Sequence, residues 1–277
     1  MEGFMEIAVK DFSFRYTESA DAALSSLTFT IPSGSCCAIL GPTGAGKTTL
    51  LYALSGALGA HFSSGLGTGS VRIGGEEFNP FPKNVLFPRV GFALQESHVQ
   101  ISGLRETVLE EIQFTLENIG LEEHLVESGA IDVLKQMRIL HLAGRKPNSL
   151  SSGEMQRVAL ASLLVARPSV ALFDEPLTSL DSHGCLTLAR TILSMKNKST
   201  VLFTDVGLDL SLVAADWILV LQKGRVSYFG SKREFLRGLG EFREILSTDA
   251  LDPVLKTLLD PLSSRQRRRY AQVLGIR

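Results

Sequence analysis

The sequence predicts an α/β fold with a mostly parallel core sheet. Short apolar segments typical of buried strands lie at residues 35–40, 170–173 and 199–203, and helical segments separate them. A glycine-rich loop follows the first of these strands and leads directly into a helical segment. Because parallel strands are joined by crossover helices, this order favours a parallel sheet.

The flanking segments predict an antiparallel part and a helical part. Residues 6–31 alternate short β-rich runs with polar turns, which is typical of antiparallel strands. From residue 104 to about residue 165 the pattern is helical, which predicts a helical subdomain over 104–165. A hairpin is expected to turn at Lys223–Gly224. Residues 231–277 are predicted to form a small helical extension after a domain at residues 1–230.

Two further stretches are expected to be irregular. Residues 63–70 are rich in glycine and serine, and residues 79–88 contain three prolines. A helix is expected from Ser149 to Val165, because Pro168 soon afterwards prevents its continuation. These boundaries place the helix just before the apolar segment at 170–173.

The composition excludes several classes of function. The chain has 277 residues, of which 44% are hydrophobic and 21% charged, and a formal net charge of -1 at pH 7. This balance predicts no nucleic-acid partner. The sequence contains no stretch of about 18 apolar residues, so we expect no membrane span. The N-terminus lacks the features of a signal peptide, and the three cysteines lack metal-ligand spacing.

The glycine-rich loop fits the phosphate-binding pattern G-x-x-x-x-G-K-[ST] at every fixed position. Its glycines allow backbone amides to converge on phosphate oxygens, and the following helix directs its positive end toward them. Lys47 is expected to contact the β- and γ-phosphates of ATP, and Thr48 to ligate Mg²⁺. The predicted nucleotide contacts here are Gly41, Pro42, Thr43, Gly44, Ala45, Gly46, Lys47, Thr48 and Thr49.

Two acidic residues follow the apolar segment at 170–173. Asp174 and Glu175 would lie at the C-terminal end of a strand, where ligands bind in open α/β sheets. Asp174 is the predicted Mg²⁺ ligand. Glu175 is predicted to orient the attacking water or to accept its proton, and so to be catalytic together with Lys47. The alternative is that both acids are merely solvated in a turn and have no role in catalysis or metal binding. The neighbouring phosphate loop disfavours this alternative.

Further motifs resemble those of the ABC (ATP-binding cassette) ATPases. The segment LSSGEMQR at residues 150–157 resembles the LSGGQ-type signature, and residues 179–181 resemble the D-loop that follows the paired acids. Gln95 looks like the Q-loop glutamine, and Tyr16 like the aromatic residue that stacks on adenine. These motifs occur in the family's order over residues 5–230.

The resemblance implies an ABC cassette with a helical signature subdomain. It also implies a head-to-tail dimer in which the signature of each cassette completes the nucleotide site of the other. Gln95 would then act in catalysis and near the metal as well as in binding. Nucleotide contacts implied by the resemblance are Tyr16, Gln95, Ser151, Ser152, Gly153, Glu154 and Asp181.

The sequence departs from the family pattern at two positions. Ser152 stands where the signature has its first glycine, so contact with the γ-phosphate is expected to differ. The switch histidine, which should follow the segment at 199–203, is absent, and either Asp205 or Val206 occupies its place. Because Glu175 remains, we still expect hydrolysis.

One branch of the family matches best. The segments at 95–100, 107–112 and 117–120 resemble the ATPases of energy-coupling-factor (ECF) and cobalt/nickel importers. The resemblance implies import of a vitamin or a transition-metal ion. A transmembrane scaffold subunit would dock near Gln95–Gln100, with this chain peripheral on the cytoplasmic face of the membrane.

Two other functions remain open. The missing histidine allows a degenerate cassette that binds ATP with weak or no turnover, as one half of a heterodimer. A soluble mechanochemical ABC ATPase is the other alternative, although only about a hundred residues separate the phosphate loop from the signature and no heptad repeats are sustained. Whether the dimer is homo- or heteromeric is left open.

Overall fold

A computed structural model describes residues 5–58, 65–78, 89–205, 208–238 and 242. The strands are β1 Ile7–Tyr16, β2 Leu24–Ile31, β3 Cys36–Leu40, β4 Gly65–Ile73, β5 Glu76–Phe78, β6 Val90–Ala93, β7 Val170–Phe173, β8 Thr200–Thr204, β9 Trp217–Gln222 and β10 Arg225–Ser231. The α-helices are α1 Lys47–Ser55, α2 Val108–Asn118, α3 Glu123–Gln136, α4 Ser152–Val165, α5 Ser182–Met195, α6 Asp209–Ala214 and α7 Lys232–Arg237.

The strands form two sheets, and the predicted fold class is confirmed. The larger sheet has the order β10-β9-β3-β8-β7-β6, in which only β10 runs antiparallel to its neighbour. The smaller sheet has the order β2-β1-β4-β5 and is antiparallel throughout. The predicted hairpin joins β9 to β10, and both Lys223 and Gly224 have the positive φ that a tight hairpin turn requires.

The central strands β3, β7 and β8 of the larger sheet are buried along their whole length, which explains why they are almost entirely apolar. On β3, Cys37 and Ile39 face a core shared with α1 and the antiparallel sheet. Cys36, Ala38 and Leu40 face a second core shared with the helical region. Because side chains alternate along a strand, β3 contributes to both cores.

The parallel arrangement brings four chain segments to one edge of the sheet. The phosphate loop follows β3, Gln95 follows β6, Asp174 and Glu175 follow β7, and Asp205 follows β8. Carboxyl ends of neighbouring parallel strands lie at the same edge. The topology therefore gathers residues that are far apart in the sequence.

Two predicted boundaries were wrong. The strand β4 begins at Gly65, inside the stretch expected to be irregular, because its first residues pair with β1. The helix α4 begins at Ser152 and not at Ser149, because Ser151 caps it and Pro147–Ser149 form a 3₁₀ turn.

The predicted helical subdomain and C-terminal extension correspond to helices of the structure at least in part. The predicted helical subdomain contains α2, α3 and α4, and the predicted C-terminal extension begins with α7. Residues 79–88 and 243–277 lie outside the described residues. The division into domains therefore stays a prediction.

Candidate nucleotide-binding site

The phosphate loop turns sharply between β3 and α1, and glycine is required at specific points. Gly41 has φ 144°, and a Cβ atom there would lie 2.2 Å from the carbonyl oxygen of Leu221. Gly46 has φ 99°, and its Cβ would lie 2.7 Å from the carbonyl oxygen of Ala23. Side chains at either position would clash with backbone as well as strain the loop. The helix α1 then begins at Lys47, as predicted.

Lys47 lies within this loop with only 7% of its surface exposed. Its Nζ donates hydrogen bonds to the carbonyl oxygens of Gly41 at 2.8 Å and Pro42 at 3.2 Å. Burial lowers the pKa of Lys47, while the nearby Glu175 and Asp174 carboxylates oppose that shift. Both acceptors belong to the predicted phosphate loop, and charged phosphate oxygens are stronger acceptors for an ammonium than carbonyls are.

Asp174 and Glu175 leave β7 in different environments. Asp174 is 2% exposed, and its Oδ1 accepts a hydrogen bond of 2.8 Å from the Thr204 hydroxyl on β8. Glu175 is partly exposed and has φ 44°, in the left-handed region that a glutamate rarely adopts. The chain thus turns immediately after Asp174 and separates the two carboxylates.

Gln95 and Glu175 meet, although 80 positions separate them in the sequence. The Gln95 Nε2 donates to Glu175 Oε2 at 3.0 Å. The predicted Q-loop glutamine and the predicted catalytic carboxylate are therefore in direct contact. Movement of the loop after β6 can change the position of this carboxylate.

Tyr16 lies next to the phosphate-loop helix. Its hydroxyl is 3.1 Å from the Thr49 Oγ1, and its ring packs edge-on against Phe14 with ring centroids 4.8 Å apart. The structure thus brings Tyr16 to the side of the phosphate loop. Stacking of its ring on adenine stays a prediction.

The signature segment forms the start of α4. Ser151 accepts a hydrogen bond from the amide of Glu154, and the Glu154 carboxylate accepts one from the amide of Ser151, which is a capping box. The Arg145 guanidinium forms an ion pair with the Glu154 carboxylate, with 3.2 Å between Nη1 and Oε1. These bonds fix the start of a helix whose positive end suits a bound phosphate.

The signature also packs against the predicted D-loop. A Cβ atom on Gly153 would lie 2.9 Å from the carbonyl oxygen of Ser179, so glycine permits this approach. Asp181 caps α5 by accepting a bond of 2.7 Å from the amide of Gly184. Ser152, the first residue of α4, is exposed. Ser151, Glu154 and Asp181 thus form hydrogen bonds that fix the starts of α4 and α5.

Comparison with known proteins decides the family. The sequence model of the family described as ABC transporter matches residues 24–178. A putative ABC transporter ATP-binding protein of Pyrococcus horikoshii is 35% identical over 243 residues, which cover 84% of each chain. The chain belongs to the ABC transporter family of ATP-binding proteins. An energy-coupling factor transporter ATP-binding protein of Bacillus licheniformis is 33% identical over 83% of this chain and 80% of its own length.

Solved ABC cassettes have the same fold. The cbiO1 protein of Clostridium perfringens, described as part of the ABC transporter complex cbiONQ, has a TM-score of 0.71 and 24% identity over 94% of this chain and all of its own. A dimeric ATP-binding cassette in a post-hydrolysis state with ADP and Pi has a TM-score of 0.70 and 22% identity, and covers 81% of this chain. The match covers 98% of the length of the dimeric cassette's chain. The chain is an ABC ATPase, a class of protein that binds and hydrolyses ATP.

This ABC ATPase has no histidine at the position of the family's switch histidine, where either Asp205 or Val206 stands. Asp205 is nearly buried, and its Oδ2 accepts bonds from the amide of Ser211 at 2.8 Å and from its hydroxyl at 2.7 Å. This carboxylate therefore holds the short helix α6. Val206, the other candidate for this position, lies outside the described residues.

The oxygen ligands that Mg²⁺ prefers are present beside the phosphate loop. The Thr48 hydroxyl, the Asp174 carboxylate and the Gln95 amide oxygen are all hard donors. Asp174 Oδ1 accepts a hydrogen bond from Thr204, and Asp174 Oδ2 would be the oxygen that ligates a metal. These residues fit a Mg²⁺ ion that is bound mainly by nucleotide and water. No cluster of three His, Cys, Asp or Glu side chains suited to a metal occurs in the described part of the chain.

Sequence reasoning missed two residues that hold the Q-loop. Gln100 donates to the carbonyl of Phe92 at 2.8 Å and accepts from the amide of Leu94 at 3.1 Å. Glu111, on α2, is 4% exposed and accepts from the amide and the hydroxyl of Ser102. Both residues lie in segments that resemble one branch of the family, 95–100 and 107–112, and this resemblance is the signal that the sequence offers for them.

A groove opens beside this segment, between β6 and the helical region. Its volume is about 270 Å³. The lining residues are Gly91, Phe92, Gln100, Ser102, Glu111, Phe114, Thr115, Asn118, Ser162 and Leu163. Leu104, in the loop that leads into α2, is 74% exposed.

Among the helices that the structure describes, none is long and apolar enough to cross a bilayer.

Proposed function

We propose that this ABC ATPase is the motor subunit of a membrane importer of the energy-coupling-factor type. The structural observation that best supports a motor function is the hydrogen bond between Gln95 and Glu175. Gln95 begins the segment that borders the groove, and Glu175 is the residue we propose for water activation. A docked membrane subunit can therefore influence hydrolysis through one short connection.

In the proposed reaction each side chain acts on a defined atom. Lys47 exchanges the carbonyls of Gly41 and Pro42 for phosphate oxygens and neutralises their charge. Glu175 accepts a proton from the attacking water or orients it. A Mg²⁺ ion held by Thr48, Asp174 and Gln95 would neutralise charge on the β- and γ-phosphates.

The site is completed by a second cassette in this proposal. The start of α4 presents its positive end, the Ser151 side chain and the backbone at Gly153 on an exposed surface. A phosphate bound at the signature of one cassette and the phosphate loop of another would hold the two together. ATP binding then closes the dimer and hydrolysis opens it.

The groove is the proposed docking surface for a transmembrane scaffold subunit, near Gln95–Gln100. Its aromatic lining, at Phe92 and Phe114, and the exposed Leu104 suit the apolar face of a short helix. The chain would then be peripheral on the cytoplasmic face of the membrane. Relatives named energy-coupling factor transporter ATP-binding proteins support this branch.

The docking proposal is tested by membrane association. Leu104→Glu should release the protein from membranes that retain the wild type until detergent is added. Leu66→Glu is the matched control, because Leu66 is 70% exposed on β4, in the other sheet. Equal retention of Leu104→Glu and wild type would reject the docking surface. A wild-type protein that never associates with membranes would reject the transport function.

One observation favours the degenerate-cassette alternative. Asp205, one of the two candidates for the switch position, uses its carboxylate to hold Ser211 and carries no hydrogen to donate to a phosphate when it is ionised. Turnover would then rest on Glu175 without the histidine. Phosphate release by the wild type decides between slow and absent turnover.

A further inference from the structure

We propose that Thr204 is a positioning residue for ATP hydrolysis, which sets the direction of Glu175 through its backbone. The proposal rests on the proposed role of Glu175 as the residue that activates water. Thr204 lies at the end of β8, directly beside the end of β7, because Phe173 and Phe203 are paired in the parallel register. Its side chain therefore lies across from both acids.

The Thr204 hydroxyl bonds to both acidic residues at once. It accepts a hydrogen bond of 2.6 Å from the amide of Glu175 and donates one of 2.8 Å to Asp174 Oδ1. A hydroxyl has one hydrogen and two lone pairs, so donation to the carboxylate leaves a lone pair for the amide. One atom thus ties the backbone of Glu175 to the side chain of Asp174.

Burial makes this link difficult to replace. Thr204 is 1% exposed and Asp174 is 2% exposed. Without the hydroxyl, the Glu175 amide and the buried Asp174 carboxylate oxygen would each lose a partner beside a side-chain position that water reaches poorly. The neighbouring groups would have to shift to recover hydrogen bonds.

The backbone of Glu175 is the part most sensitive to such a shift. Its φ of 44° is unfavourable for a glutamate, and residues in such conformations persist only when their surroundings fix them. The Thr204 bond fixes the peptide that precedes this strained residue. Relaxation of φ would rotate the Glu175 side chain away from Gln95 and from the attacking water.

The test compares kcat and KM for Mg-ATP in five variants of the full-length protein, isolated in its native assembly, with a sixth held in reserve. Thr204→Val keeps the shape of the side chain and removes the hydroxyl, and we expect kcat to fall about 10- to 100-fold with little change in KM. Thr204→Ser restores the hydroxyl and should recover most of the wild-type kcat. Should Thr204→Val fail to fold, Thr204→Ala is compared with Thr204→Ser in the same way.

A matched control lies on the same strand. Thr200 is fully buried, and its hydroxyl accepts from the amide of Gly34 and donates to the carbonyl of Met5. Thr200→Val removes an equally buried hydroxyl at the opposite end of β8. Its kcat should stay near that of the wild type. Equal losses in Thr200→Val and Thr204→Val would mean a structural role only, and would overturn the proposal.

Glu175→Gln, alone and combined with Thr204→Val, separates the role of Thr204 from the proposed role of Glu175. In a Glu175→Gln background, adding Thr204→Val should lower the residual kcat no further, because the residue through which Thr204 acts is already disabled. Wild-type turnover in Glu175→Gln would reject the role of Glu175. Loss of turnover in Glu175→Gln together with wild-type turnover in Thr204→Val would reject the role of Thr204 alone.

Discussion

Lys47 is held in the phosphate loop by two backbone carbonyls and is nearly buried. Burial lowers its pKa, and the carboxylates of Glu175 and Asp174 act in the opposite direction. A lysine so placed can deliver its charge to a phosphate with little rearrangement. Its contribution to ATP binding can be measured directly.

We expect Lys47→Ala to weaken ATP binding about 10- to 100-fold, because charge-assisted hydrogen bonds of about 1.5–3 kcal/mol are lost. Isothermal titration with Mg-ATP measures this. Lys10→Ala, at an exposed position on β1, is the control and should bind as the wild type does. Unchanged affinity in Lys47→Ala would show that the loop does not bind phosphate.

Tyr16 has two separable contributions, the ring and the hydroxyl bonded to Thr49. If the ring stacks on adenine, Tyr16→Ala should weaken ATP binding by about 1–2 kcal/mol. Tyr16→Phe keeps the ring and should bind nearly as the wild type does. The same loss in both variants would assign the effect to the hydroxyl and reject stacking.

Individual residues also show where sequence reasoning was limited. The phosphate loop, Asp174, Glu175 and Gln95 were predicted because each belongs to a pattern of spacing or order. Thr204 was not predicted as a site residue, because its role depends on the alignment of β7 with β8. A contact between strands that are distant in the sequence has no local signal.

At the scale of elements, caps and pairing explain the boundaries that the sequence left uncertain. The start of α4 at Ser152 follows from the capping box, whose residues were identified but assigned to the signature. The start of β4 at Gly65 depends on its pairing with Tyr16, and glycine by itself suggested a loop. Local propensity fails here because tertiary pairing outweighs it.

Glu111 provides a test of how α2 holds the loop before it. Glu111→Ala should lower the free energy of unfolding by about 2–3 kcal/mol, because the amide and hydroxyl of Ser102 lose their charged acceptor. Urea denaturation measures the change. Glu123→Ala, at an exposed position on α3, should stay within about 0.5 kcal/mol of the wild type.

A loss in Glu111→Ala no larger than that in Glu123→Ala would contradict the assigned role. A confirmed loss would show that the helical region and the loop after β6 form one stable unit. That unit borders the proposed docking groove. Its rigidity would allow a docked helix to act on Gln95.

At the scale of the whole molecule, the order of strands explains how distant motifs share one site. The central position of β3, between β9 and β8, places the phosphate loop near the ends of β8, β7 and β6. The sequence predicted the alternation of strands and helices but could not predict the strand order, which depends on contacts between distant segments. In our proposal, the exposed signature of one cassette completes the nucleotide site of another.

Whether Glu175 activates water is tested by phosphate release at saturating Mg-ATP, compared between the purified wild-type assembly and Glu175→Gln. We expect the variant to bind ATP as tightly as the wild type and to release phosphate about 10²- to 10⁴-fold more slowly. Equally fast release would show that Glu175 does not activate water. Background release from both would show that this cassette binds ATP without turning it over.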